Sequence, residues 1–200
     1  TMPLAVKMEQ DFGIPFVALH HLYDVEAIDN AYAVIAAQFG FSWDGSFDEE
    51  RQEALALQEQ VKKNFQGFRY VFSVRIDLPL PLAVYLGGLG MEPLLLHLED
   101  YYPEDGSHAK KLAALGFDPL ICRIVNAEAD VAILEKLAPD LVFGYVPEQR
   151  WRKPCVPDIF DFYGQVGYKR TSAILRRMVA AMDSTKSSEN GRRGHGSASI

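Results

Sequence analysis

The strongest constraint on the fold is the alternation of short apolar runs with amphipathic segments between residues 69 and 183. The runs predict strands at 69–77, 92–98, 119–125 and 141–145, and the segments between and after them predict helices at 80–90, 107–116, 129–137 and 168–182. This order is typical of βαβ units on a parallel sheet. The runs are apolar on both faces, which indicates that both faces are covered. We therefore predict an α/β fold, a Rossmann-like parallel sheet with helices on both faces.

The composition argues against several classes of function. The formal net charge of −7 does not suit nucleic-acid binding, which needs a clustered basic face. No apolar run approaches the roughly 20 residues that span a bilayer, and the first residues do not resemble a signal peptide. Cys122 and Cys155 do not form a disulfide framework. We expect a cytoplasmic protein with no nucleic-acid or membrane partner.

Four regions follow from the pattern along the chain. Residues 1–46 read as the end of a preceding Rossmann-like domain, with a helix over 1–10, a turn and short strand over 12–19, and a helix over 25–40. No capping residue precedes the first helix, so we expect that the chain begins inside an element. Residues 47–67 form a helical connector capped by Asp48. Residues 68–183 form the α/β domain, and the Ser-, Gly- and Arg-rich residues 184–200 form a disordered tail.

The loop after the first predicted strand lacks the signals of nucleotide binding. It contains Pro79 and Pro81, which have no N–H groups to cradle a pyrophosphate. Neither a G-x-G-x-x-G nor a G-x-x-x-x-G-K-[ST] motif is present at this position or elsewhere in the sequence. Binding of NAD or FAD by this chain and hydrolysis of ATP are therefore not expected.

A few residues carry chemistry, and each has a plainer interpretation. His20 and His21 follow the first short strand and could bind metal, but loop histidines at an interface are favoured. Cys122 lies in an apolar strand, where packing explains it. Cys155 lies in an extended segment, where packing is again preferred to a reactive thiol or cluster ligand. The stretch from 158 to 168 combines carboxylates, a phenol, an amide and glycines, which suit either a binding loop or a tight turn.

Several landmarks in this order resemble the nitrogenase component 1 family, which includes dinitrogenase chains, cofactor-assembly scaffold chains and dark-operative protochlorophyllide reductase chains. The resemblance covers about residues 5 to 182. The matching segments are Phe12-Gly-Ile-Pro15, Ile35-Ala-Ala-Gln-Phe39, Leu89-Gly-Met-Glu92, Leu137-Ala-Pro-Asp-Leu-Val-Phe-Gly144, Tyr163-Gly-Gln-Val-Gly-Tyr168 and Leu175-Arg-Arg-Met178.

The resemblance implies part of a nitrogenase-like oxidoreductase subunit. Such a subunit pairs with a homologous component 1 chain as a dimer or tetramer, and an ATP-dependent iron–sulfur reductase supplies its electrons. A metallocluster passes the electrons to a substrate, and its ligands are expected upstream or on a partner rather than in this chain alone. The residues implied for the wall of the cluster or substrate cavity are Arg75, Asp77 and Gln165 for binding, and Asp158 and Tyr163 for proton transfer.

Two departures from the family pattern argue against a dinitrogenase alpha chain. The family's glycine- and arginine-rich loop facing the cofactor is replaced by Arg75-Ile-Asp-Leu-Pro-Leu80, and the cofactor-binding histidine before the closing helix is replaced by Pro157 or Asp158. A nitrogenase-like reductase subunit or a non-catalytic cofactor-assembly scaffold fits better. A cofactor-free interaction module is the third interpretation. Substrate identity lies beyond the sequence.

Overall fold

The computed structural model describes residues 2–18, 22–42, 45–74, 76, 79–103, 105–123, 127–147, 150–151, 153–157 and 164–193. Within these ranges strands and helices alternate from the third helix to the fourth strand, and the fifth strand and the last helix follow. The elements are α1 Met2–Phe12, α2 Val25–Phe39, α3 Asp48–Asn64, β1 Arg69–Phe72, α4 Pro79–Gly88, β2 Glu92–His97, α5 Asp105–Ala114, β3 Leu120–Cys122, α6 Ala127–Leu137, β4 Leu141–Phe143, β5 Cys155–Val156 and α7 Gly167–Arg193.

The strands form one five-stranded sheet in the order β3-β2-β1-β4-β5, and every pairing is parallel. The chain moves outward from β1 through β2 to β3, and α6 then returns it to the other side of β1, where β4 lies. This reversal makes the β1–β4 boundary the topological switch point, at which ligands of such sheets usually bind. The α/β fold predicted from the sequence is confirmed.

Successive residues of each strand point to opposite faces of the sheet, as strand geometry requires. In β1, Tyr70 and Phe72 belong to the larger core cluster, which also contains residues of α3, α4, α5 and α7. Val71, between them, belongs to a smaller cluster with Leu134 of α6 and Trp151. Helices therefore cover both faces, and α6 lies on the face opposite α4 and α5.

Local signals explain where α2 begins and ends. The carboxylate of Asp24 accepts a hydrogen bond from the backbone N–H of Ala27 at 3.1 Å and caps the helix. Gly40 adopts the left-handed conformation at the other end, and its N–H bonds to the carbonyl of Ala36 at 2.8 Å. The predicted helix over 25–40 is thus confirmed in detail.

The predicted cap of α3 is wrong. Asp48 is the first residue of the helix, and Phe47 occupies the cap position without a side-chain hydrogen bond. Asp48, Glu49 and Glu50 make the first turn acidic, which favours helix formation through the positive end of the helix dipole. The helix can therefore start one residue earlier than a cap at Asp48 would allow.

Several other element bounds differ from the sequence predictions, most clearly at residues 13–18, at the end of β1 and at the end of α7. Residues 13–18 form no strand, since none of the described strands pairs with them. Strand β1 ends at Phe72 rather than at 77, because Val74 leaves the parallel pairing and forms an isolated antiparallel bridge with Tyr145. The helix end predicted at 182 is wrong: α7 continues to Arg193, because no glycine or proline interrupts it before Gly191.

Helices α2 and α3 pack against the closing helix α7. Val25 and Ile28 of α2, Ala54 of α3 and Tyr168 of α7 form a third buried cluster. Beside it, Arg51 donates hydrogen bonds to the carboxylate of Asp29, at 2.7 Å from Nη2. The Arg51 guanidinium holds the pKa of Asp29 below its ordinary value. The pKa of Tyr168 is raised, mainly by burial and also by its hydrogen bond to Asp29. The division of the chain at residues 46, 67 and 183 stays a prediction.

Candidate functional site

Beyond the ends of β1 and β4, backbone hydrogen bonds join the two strands at the switch point. The N–H of Ser73 donates to the carbonyl of Phe143 at 2.8 Å, and the N–H of Tyr145 donates to the carbonyl of Val74 at 3.1 Å. The Ser73 hydroxyl also donates to the carbonyl of Tyr145 at 2.8 Å. The described residues at this point therefore form a hydrogen-bonded junction between β1 and β4 rather than an open crevice.

Gly144 makes this junction possible. Its φ is +92°, a conformation that side chains rarely adopt, and a Cβ atom here would collide with the carbonyl oxygen of Val74. Its N–H donates to the carbonyl of Val156 at 2.9 Å. The carboxyl ends of β1, β4 and β5 thus converge on one glycine, which is the last residue of the segment from Leu137 that carried the family resemblance.

Most of the residues predicted for the site lie outside the described residues. This holds for Arg75, Asp77, Asp158 and Tyr163, and also for His20 and His21. Gln165 is described and lies half-buried in the turn before α7. The roles of all five predicted wall residues stay predictions.

The glycines around Gln165 serve the turn itself. Gly164 has a φ of +84° and Gly167 a φ of +60°. A Cβ atom on Gly167 would collide with the hydroxyl of Tyr32, so at this position the backbone approaches a side chain of α2. Of the two interpretations left open for this stretch, the tight turn is the one supported at Gly167.

A row of three polar side chains crosses the carboxyl edge of the sheet on the face that α6 covers. Val71 of β1 is the Cα partner of Leu95, and His97 is the Cα partner of Cys122. Because Ser73 and His97 each lie two residues beyond those strand positions, they share the face of Val71 and Leu95. Ser73, His97 and Cys122 therefore lie side by side on three neighbouring strand ends.

These three side chains line a small cavity between the sheet and α6. Its other lining residues are mainly apolar and include Val71, Leu95, Ile133 and Leu134. The cavity volume is about 20 Å³, which suits one water molecule or an ion. The cavity is too small for an organic cofactor, for which pockets of about 300 Å³ or more are usual.

His97 is the least satisfied group in this cavity. Its side chain is only 4% exposed, and Nε2 has no hydrogen-bond partner among the described residues. Burying a polar atom without a partner costs about 1–3 kcal/mol, so such an atom marks a candidate binding position. Cys122 is half-buried and packs against the smaller cluster, which agrees in part with the buried residue that the sequence predicted.

The sequence analysis did not select His97 or Ser73. The available signal was an ionisable residue at the carboxyl end of the apolar run Leu94-Leu-Leu-His97, a position where strands of this fold present ligand-binding groups. Its proximity to Cys122 depends on the register between β2 and β3, which the sequence does not reveal.

The described residues contain no group of three or more His, Cys, Asp or Glu side chains arranged to hold a metal ion. Cys122 lies on β3 and Cys155 on β5, at opposite edges of the sheet. The Cys155 thiol donates to the carbonyl of Gly144 at 3.5 Å. The two cysteines therefore cannot bind the same metal ion or cluster.

None of the described helices combines the length and apolarity that a membrane crossing requires.

The parallel sheet, its strand order and the polar groups at its carboxyl edge define a Rossmann-like α/β protein. A family model described as nitrogenase component 1 type oxidoreductase matches residues 1–183. The chain belongs to this family, which confirms the resemblance found in the sequence.

A solved structure supports the same fold. "Nitrogenase Cp1 at pH 6.5" aligns with a TM-score of 0.70 and 19% sequence identity over 88% of this chain. The chain spans 42% of the length of that solved chain. No curated protein matches the sequence.

Proposed function

We propose that this chain is part of a nitrogenase-like component 1 subunit. The subunit receives electrons from an ATP-dependent iron–sulfur reductase, and a metallocluster in the complete complex passes them to a substrate. The observation that supports this most directly is the family match over residues 1–183, together with the matching fold of the solved nitrogenase chain.

The described residues do not fit a complete cluster site. An iron–sulfur cluster is usually held by several cysteine thiolates, whereas the two cysteines here lie at opposite edges of the sheet. The ligands would therefore come from sequence upstream of this chain or from a partner chain. We derive no step of electron transfer through the cluster.

The proposed contribution of this chain is one wall of the cluster or substrate cavity. In the sequence, Arg75 and Asp77 come shortly after β1, and Asp158 comes shortly after β5. Arg75 would place positive charge near an anionic cluster or substrate. Asp158 or Tyr163 would supply a proton, and Gln165 would contribute a polar contact.

Metal analysis of the anaerobically purified protein tests this proposal. Iron and acid-labile sulfide would be measured on this chain alone, with its native upstream sequence if one exists, and with co-expressed component 1 partners. We expect iron and sulfide in at least one extended or partnered form. Their absence from every form would contradict the proposal and favour a cofactor-free interaction module.

A cofactor-assembly scaffold is the second candidate. It is favoured by the sequence from Arg75 to Leu80, which does not match the glycine- and arginine-rich segment that faces the cofactor in the family's catalytic chains. A turnover assay with the partner reductase separates the two candidates. Substrate reduction identifies a reductase subunit, and a cluster that binds and transfers to another protein without turnover identifies a scaffold.

A further inference from the structure

We propose that His97 and Cys122 bind one soft, singly charged metal ion of low coordination number, such as Cu⁺. The site would lie at the carboxyl edge of the sheet, in the cavity between the sheet and α6. The inference concerns this chain alone and does not depend on the proposed role in electron transfer.

The register of the sheet places the two donor residues side by side on one face. His97 and Cys122 are Cα partners on the neighbouring parallel strands β2 and β3, and such partners point to the same face. Neighbouring strands are about 4.8 Å apart. Both side chains also line the same cavity, so an ion held in that cavity would lie next to both.

The state of His97 points to a ligand at this position. Its side chain lines the cavity, is 4% exposed, and has a buried Nε2 with no hydrogen-bond partner in the described part of the chain. An imidazole nitrogen is among the commonest metal ligands in proteins. Coordination would therefore satisfy an atom whose burial is otherwise unfavourable.

The chemistry of the donors and lining favours a soft ion of single charge. One imidazole and one thiolate suit soft metals such as Cu⁺, and no third side chain joins them in a metal-binding group among the residues described. Binding would release the thiol proton of Cys122. A thiolate, a neutral imidazole and a singly charged cation together carry no net charge, which suits a lining of valine, leucine and isoleucine side chains.

The size and accessibility of the cavity agree with an ion. Its room of about 20 Å³ accepts an ion or a water molecule but not an organic ligand. Cys122 is half-buried rather than enclosed, which leaves an entry path.

An anaerobic titration of Cu⁺ against a chromophoric competing chelator tests the proposal. The wild-type chain should retain one equivalent of Cu⁺. Cys122→Ser should abolish this retention, and His97→Leu should weaken it by about 100-fold or more, since loss of even an outer-shell partner often costs about 10–100-fold. Cys155→Ser is the matched control, because it removes the other thiol from the far edge of the sheet, and it should retain one equivalent.

Two results would overturn the proposal. One is an equal loss of Cu⁺ in the Cys122 and Cys155 variants, and the other is unchanged affinity in His97→Leu, because both indicate unspecific thiol binding. Thermal unfolding without metal shows whether each variant folds. If His97→Leu does not fold, X-ray absorption of the wild-type complex decides: one nitrogen and one sulfur neighbour support the site, and sulfur neighbours alone refute it.

Discussion

The hydroxyl of Tyr168 donates a hydrogen bond of 2.5 Å to Oδ1 of Asp29, a residue 139 positions earlier in the chain. Arg51 donates to the same carboxylate from Nε at 3.0 Å and from Nη2 at 2.7 Å. One carboxylate of α2 thus accepts hydrogen bonds from α3 and α7. This cluster attaches α2 and α3 to α7, the closing helix of the α/β unit.

Tyr168→Phe should destabilise the protein by about 1.5 kcal/mol, because it removes a hydrogen bond to a charged acceptor. The ring remains, so packing in the cluster with Val25 and Ile28 should persist. Urea unfolding monitored by circular dichroism at pH 7 would measure the change. Lys169→Gln is the matched control on the same helix: its ion pair with Glu50 is long, at 3.6 Å, and the lysine side chain is 71% exposed, so the change should be within about 0.5 kcal/mol. Equal effects would contradict the assigned role of Tyr168.

Asp29 should make stability depend on pH in the acid range. The hydrogen bond from Arg51, aided by that from Tyr168, lowers the pKa of Asp29 in the folded chain despite burial. Its ionised form therefore stabilises the fold above the unfolded pKa of about 3.9, and this contribution is lost as the pH falls through the folded value. Asp29→Asn should be less stable than the wild type at pH 7, and the gap should narrow below about pH 4. Urea unfolding from pH 7 to pH 3 would measure it, and a constant gap would refute the assignment.

Leu141→Asp should abolish folding. Leu141 is fully buried on β4, between β1 and β5, and pairs with Tyr70. An unpaired carboxylate there should cost several kcal/mol. Soluble yield and the cooperativity of thermal unfolding would be compared with those of Leu120→Asp, which lies on the edge strand β3 at 58% exposure. The edge variant should fold, and a folded Leu141→Asp would refute the central position of β4.

Gly144→Ala should destabilise the junction at the carboxyl edge by about 2 kcal/mol or more. The substitution combines the strain of a side chain at positive φ with a collision against the Val74 carbonyl. Gly88→Ala provides the comparison, because that glycine is helical and an added Cβ would meet nothing within 4 Å. It should be neutral or stabilising by up to about 1 kcal/mol. Chemical denaturation of both variants measures the difference, and similar values would contradict the tight approach at Gly144.

Much of the fold was predictable because strand and helix periods are local properties of the sequence. The apolar run around Tyr70, Val71 and Phe72 indicated a strand covered on both faces, and the structure places alternate residues in two separate core clusters. Boundaries were less predictable. Strand β1 ends early because Val74 pairs with Tyr145, a contact between residues far apart in the sequence.

The site residues predicted from the sequence stay predictions. The sequence indicated the carboxyl edge of a parallel sheet, but the residues chosen from loops there lie mostly outside the described part of the chain. A role for His97 was not predicted, because this residue ends an apolar run and resembles a packed strand residue. Its burial without a partner is a property of its surroundings and is absent from its own local sequence.

The sequence by itself determined the α/β class, the family resemblance and most of the helices and strands, because hydrophobic periodicity and glycine positions act over a few residues. Only the tertiary structure decided that His97 lies beside Cys122, that Gly144 contacts Val74, and that Asp29 joins Arg51 to Tyr168. These relationships depend on strand order, on register and on the packing of helices. Each is a long-range property in which residues far apart in the chain compete for the same space and the same hydrogen bonds.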